Sequence, residues 1–187
     1  MDLQSRILSC VECRQTKKAK LEASNKIAEL KPEIVIREKP SYLVIMDGNG
    51  TQVQEDAAGW LLDALFKRFK ISQNEVQICP TVWCTDVKPA VPSSRNCRPL
   101  IYDKIDKKNL KGIILLGRDA VRFFLGRGAA PPQPESIHGR AVRVHDVPYP
   151  IFLMPNLEML KKFDPASQSL KNKKSDVLTR LKEFLKK

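Results

Sequence analysis

The sequence predicts an α/β fold: a three-layer α/β/α sandwich around a central, mostly parallel, four-stranded sheet. Three observations carry this. Short continuous apolar runs recur at 42–46, 76–82, 112–117 and 150–154, and such runs suit strands buried on both faces. Stretches of helical period separate them, at 57–70, 98–109 and 118–125. Strand–helix alternation of this kind gives a parallel sheet with helices on both sides. At 187 residues one domain is expected, with 1–31 as an N-terminal arm and 168–187 as a basic C-terminal helix.

The elements follow in order. The arm opens with a C-x-x-C, Cys10 and Cys13, and continues into a basic helix that Pro32 ends. The run YLVIM leads into Asp47-Gly48-Asn49-Gly50, a turn sequence. The 57–70 helix has Leu61, Leu62, Leu65, Phe66 and Phe69 as its apolar stripe. Pro80 belongs at the end of the second strand or at a bulge. Pro89, Pro92 and two serines make 85–96 a loop. The 98–109 helix turns Leu100, Ile101 and Ile105 inward. GIILLG is the clearest buried strand, and the 118–125 helix follows it. The segment 138–144 reads as a strand or hairpin arm. The C-terminal helix carries an apolar seam of Leu170, Val177, Leu178, Leu181 and Leu185.

The net charge is +12 and the pI about 9.6. That balance favours a polyanionic partner, most often nucleic acid. A basic surface that aids solubility, or that docks on an acidic protein, is the plainer alternative. No apolar run reaches the length of a membrane span, so no membrane partner is expected. MDLQSRILSCVEC holds no long apolar signal core. The expected location is intracellular: cytoplasmic, in the nucleoid, or associated with host-cell DNA. There thiols stay reduced, so clustered cysteines point to metal rather than disulfides. Cys10, Cys13, Cys84 and Cys97 offer four thiolates, which suit either zinc or an iron–sulfur cluster. Cys79 reads as a core residue. In parallel sheets the working site lies at the carboxyl ends of the strands. Here those ends carry Asp47–Gly50, 80–84, Gly117-Arg118 and Met154-Pro155-Asn156.

Several segments, in order, resemble a known family. CVEC matches an opening C-x-x-C. YLVIMDGNG stands where an apolar strand runs into GEAPG. AAGWLLDALF resembles an A-A-G-x-L-L helix. VWC and NCRPLIYDKI supply the second cysteine pair. KGIILLGRDAVRFFLG matches V-I-x-x-L-G-x-x-A-x-x-x-L-L-G, and YPIFLMPNLEMLKKFDP stands where a strand runs into H-P-x-x-L-L. The chain thereby resembles the uracil-DNA glycosylase superfamily, specifically its family 4, over roughly residues 8–165. The resemblance implies a 4Fe–4S cluster on Cys10, Cys13, Cys84 and Cys97. In that family the cluster is structural and shapes a DNA-binding loop. Zinc remains the alternative that the residues themselves allow.

Carried over residue by residue, the catalytic pattern is degenerate. Asp47 falls at the family's acid, and reads equally well as a turn residue satisfying its own backbone. No aromatic stands at the base-stacking position. Pro80 replaces the base-reading asparagine, and Met154 or Pro155 replaces the histidine of the H-P motif. Such groups typically contribute orders of magnitude in rate. The leading expectation is therefore a pseudoenzyme of the glycosylase fold. It would bind DNA, a DNA polymerase or another replication or repair protein, or both. DNA contacts are expected from Lys88, Ser93, Ser94, Arg95, Arg118, Arg127 and Arg140. One alternative is an active glycosylase of altered specificity that uses Asp47. The other is a purely protein-binding accessory subunit, for which the C-terminal seam is the candidate surface.

Overall fold

The computed structural model describes residues 39–48, 68–83, 97–102, 109–126, 139–156 and 168–186, with side chains from 175 onward in the last segment. Five strands build one sheet: β1 (Tyr42–Met46), β2 (Val76–Pro80), β3 (Gly112–Leu116), β4 (Arg140–Val144) and β5 (Val147–Met154). Their order across the sheet is β2-β1-β3-β5-β4. The first four in that order run parallel, and β4 lies antiparallel on β5. The expected parallel core of four strands is present. The fifth strand is the segment read as a strand or hairpin arm.

The difference has a local cause. The chain turns at His145-Asp146, and Val144 pairs with Val147 directly across the turn. Pairing starts as soon as the chain reverses, so β5 begins at Val147 rather than at Pro150. Val142, Val144, Val147 and Tyr149 then pack against the same core cluster. Pro80 is the last residue of β2, at the edge of the sheet, where its missing N–H breaks no internal ladder.

The side-chain alternation of the strands builds two cores. On one face Leu43, Ile45, Cys79, Ile113, Leu115, Ile151 and Leu153 pack with Trp83, a helical segment at 97–102, and helix α1 (Arg118–Leu125). On the other, Tyr42, Val44, Met46, Ile114, Leu116, Phe152 and Met154 pack with Val177, Leu181 and Phe184 of helix α2 (Gln168–Leu185). Helices thus cover both faces, the three-layer arrangement that the strand–helix alternation implies. Cys79 is a core residue, as expected.

The α2 seam finds its partner inside the chain. Val177, Leu178 and Leu181 are buried, and Phe184 joins them, tilted against Phe152 at 5.2 Å between ring centroids. From Val177 onward the seam is therefore used on the chain's own sheet and not left as a docking face; the Leu170 side chain lies outside the described ones. The Tyr42 hydroxyl donates to the Leu185 carbonyl at 2.9 Å, tying the start of β1 to the end of α2. Burial, with the nearby Glu75 carboxylate, pushes that phenol above its ordinary pKa. Tyr42→Phe is expected to lower stability by about 1 kcal/mol in urea denaturation, the usual net worth of one such bond.

Of the expected 57–70 helix only 68–70 is described; residues 68 and 69 are helical, and Lys70 ends the turn with φ 57. The expected 98–109 helix is seen over its first turns. The N-terminal arm lies outside the described residues. Among the described residues no helix is long and apolar enough to cross a membrane.

Candidate functional site

Because β1, β3 and β5 are parallel, the residues after them meet at one edge. The ladder continues one step beyond the strands. The Asp47 amide donates to the Leu116 carbonyl at 3.1 Å, and the Gly117 amide donates to the Met154 carbonyl at 2.9 Å. Asp47, Gly117 and Pro155-Asn156 are thereby fixed side by side. The loop after β2 is tied in as well: the Thr81 hydroxyl and the Val82 amide both donate to the Gly48 carbonyl.

Helix α1 begins directly after Gly117, which has no side chain to cap it. Asp47 supplies the cap from another strand. Its Oδ1 accepts the Ala120 amide and its Oδ2 accepts the Asp119 amide at 3.3 Å. A carboxylate suits the free amides and partial positive charge of a helix N-terminus. Asp47 thus satisfies the backbone of a helix some 70 residues on; the amides of its own turn, at 49 and 50, lie outside the described residues. Gly117 has φ 95, a conformation that disfavours any side chain, and an added Cβ would overlap the Asp47 carboxylate.

A cavity of about 280 Å³ opens here, lined by Asp47, Gly117, Arg118, Asp119, Arg122, Pro155 and Asn156. Arg122 pairs with Asp119 at 3.4 Å. The Arg118 Nε is buried and has no hydrogen-bond partner among the described residues. Burial pushes the Asp47 carboxyl up to about 7, and the Asp119 carboxylate adds to the rise. The two amides and the Arg122 guanidinium oppose it without cancelling it. A carboxyl poised there can give or take a proton near neutral pH.

Of the residues singled out from the sequence, Asp47 and Arg118 come together in this cavity. Gly117, Pro155 and Asn156, expected at the carboxyl ends of the strands, line it as well. Arg140 opens β4 at the same edge and is exposed, but β3 and β5 stand between it and β1. Three strand spacings separate it from β1, roughly 14 Å. Lys88, Ser93, Ser94, Arg95 and Arg127 lie outside the described residues, as do Cys10, Cys13 and Cys84. Cys97 is buried in the 97–102 segment. Sequence reasoning missed Asp119 and Arg122. The available signal was the spacing of Arg118 and Arg122, four apart on one helix face. His145 sits fully exposed in the β4–β5 turn, at the opposite edge from Asp47.

Residues 55–182 match the model of the uracil DNA glycosylase superfamily. The chain belongs to the uracil DNA glycosylase superfamily. The match takes in β2 to β5 and α1, hence most of the cavity wall. It begins after Asp47, so that residue's place in the site rests on the pairing of β1 with β3. Among curated proteins none matches the chain at a significant level.

Proposed function

We propose that this superfamily member is an iron–sulfur protein of the family 4 type that binds DNA, a replication or repair partner, or both, and that has lost or altered its glycosylase activity. The observation that carries the reading is the state of Asp47. Both of its carboxylate oxygens are engaged by the α1 amides. Its described neighbours in the cavity include no aromatic to stack on a base and no histidine. A flipped base needs a stacking surface and groups that read its edge.

The cysteines fit a cluster by their chemistry, four thiolates being the usual ligand set. Two structural features support this. Trp83 is buried, and its indole N–H has no hydrogen-bond partner among the described residues. It directly precedes Cys84 and shares a packed cluster with Cys97. A buried N–H in the same core cluster as Cys97 suits hydrogen bonding to sulfur, which tunes iron–sulfur clusters. The second feature is Arg98, next to Cys97. Its guanidinium donates to the Phe124 carbonyl at 3.1 Å and to the Tyr102 hydroxyl at 2.6 Å. The segment bearing Cys97 is thereby fastened to the C-terminal end of α1, the helix whose other end Asp47 caps.

The test combines three readouts on the full chain. Protein purified anaerobically is expected to be brown, to contain iron, and to lose both in Cys97→Ser. Mobility shifts at low salt are expected to show DNA binding that weakens about tenfold or more between about 50 and 200 mM salt. Uracil-containing oligonucleotides are expected to yield no alkali-labile product. Colourless, zinc-loaded protein or absence of DNA binding at low salt would each remove its part of the proposal.

The Asp47 carboxyl near 7 favours a second reading. Perturbed groups cluster at working sites, so an altered specificity with Asp47 as acid or base is the competing function. It predicts base release from hypoxanthine- or ethenoadenine-containing DNA, abolished in Asp47→Ala.

A further inference from the structure

A second cavity lies at the other edge of the sheet, with a volume of about 450 Å³. Tyr42, Lys111, Ala141, Arg143, Pro150 and Phe184 line it. Its origin is the end of α2. Phe184 sits over Gly112, where an added Cβ would stand 2.7 Å from its ring. Past Phe184, α2 gives no further cover, and among the described residues nothing else covers the sheet toward β4 at this end. The walls are apolar where Tyr42, Pro150 and Phe184 form them. Lys111 and Arg143 are exposed, and neither has an ion-pair partner among the described residues. The described lining contains no acid.

The groove borders β4, the last described strand of the sheet. An open strand edge is a template for an added extended segment, and charges on it decide which segments are admitted. Arg140 and Arg143 are exposed on β4, so the edge repels basic chains and favours acidic ones. We propose that this groove docks an acidic, extended segment of a partner protein. One of its apolar side chains would seat against Phe184 and Pro150, and its carboxylates would meet Lys111 and Arg143. A nucleic acid would also meet the two cations, but the concave apolar wall suits a side chain better than a phosphate backbone.

The groove is separate from the Asp47 cavity. Tyr42 begins β1 and Asp47 follows its end, a span of roughly 16 Å. A partner held here leaves the carboxyl edge open, so the docking stands whether or not DNA binds there.

The test is fluorescence anisotropy of a labelled dodecapeptide of glutamates carrying two leucines, titrated with the full chain. Saturable binding is expected, with no binding of the same peptide carrying lysine for glutamate. Lys111→Glu/Arg143→Glu is expected to weaken it at least about tenfold, and Ala141→Trp, which fills the groove, to weaken it as well. Thermal melts matching the wild type would show that these surface changes leave the fold intact. Absence of saturable binding overturns the proposal, as does a double variant that binds like the wild type. So does a duplex oligonucleotide that displaces the peptide and loses affinity equally in the double variant, which would make the groove a nucleic-acid surface.

Discussion

Gly117→Ala is expected to destabilise the protein by about 3 kcal/mol or more, with a proportionate fall in the urea midpoint. Two costs add. The residue has φ 95 and ψ 168, a region that essentially only glycine occupies, and placing a side chain there costs about 1–3 kcal/mol. The new Cβ also overlaps the Asp47 carboxylate. That carboxylate has little room to retreat without releasing the Ala120 and Asp119 amides, and loss of a helix cap costs about 1 kcal/mol more. Gly126, the C-cap of the same helix, makes an internal control. It also has a positive φ, 93, but an added Cβ there meets nothing within 4 Å. Gly126→Ala is expected to show the conformational cost alone. Equal losses in the two variants would mean that the contact with Asp47 contributes nothing.

The contrast between these glycines shows what the sequence could and could not reveal. The interior of the sheet was legible because burial on both faces removes polar residues from whole strands. YLVIM and GIILL are buried throughout, and a five-residue apolar run bounded by turn residues suits a central strand of a covered sheet, being too short for a buried helix. Helix α1 was legible to its ends, since a glycine bounds it on each side. β4 was less so: RAVRV has both arginines exposed, and an edge strand with one wet face resembles a loop or hairpin arm until its partner is known.

The site was legible only in part. Asp47 stood out as an acid at a strand end, but its function as a cap depends on β1 lying beside β3, a pairing across more than 60 residues. Neither local propensity nor periodicity encodes that adjacency. Gly117 was placed at a strand end, but its need to be a glycine was hidden for the same reason, because the atom that forbids its Cβ belongs to a distant residue. Arg122 was hidden behind its role as an ordinary polar position of an amphipathic helix. The seam of α2 was read correctly as apolar, and its partner turned out to be the nearest one available, the far face of the same sheet.

Asp47→Asn is expected to flatten the pH dependence of stability between pH 5 and 8, and to leave the protein more stable than the wild type at pH 8. The sign follows from the raised pKa. In the unfolded chain an aspartate titrates near 3.9, whereas in the native protein Asp47 titrates at about 7. Between those values the native state holds a proton that the unfolded state lacks. Stability from this group is therefore intact below about pH 4, declines as pH rises, and is lost above about 7. Three pH units correspond to a ceiling on the order of 4 kcal/mol, reduced to the extent that solvent reaches the half-buried side chain. Asparagine keeps an oxygen for the α1 amides and carries no charge to bury, so its profile lacks this slope. Urea titrations of both proteins at pH 5 and 8 measure the difference; parallel profiles would show that Asp47 is an ordinary ionised cap. The same variant separates the two functional readings. A cap alone tolerates asparagine, so DNA binding persists in a protein that is more stable at pH 8. A working acid or base does not, and base release would disappear while stability at pH 8 rises, the trade expected where a charge is kept buried for chemistry rather than for the fold.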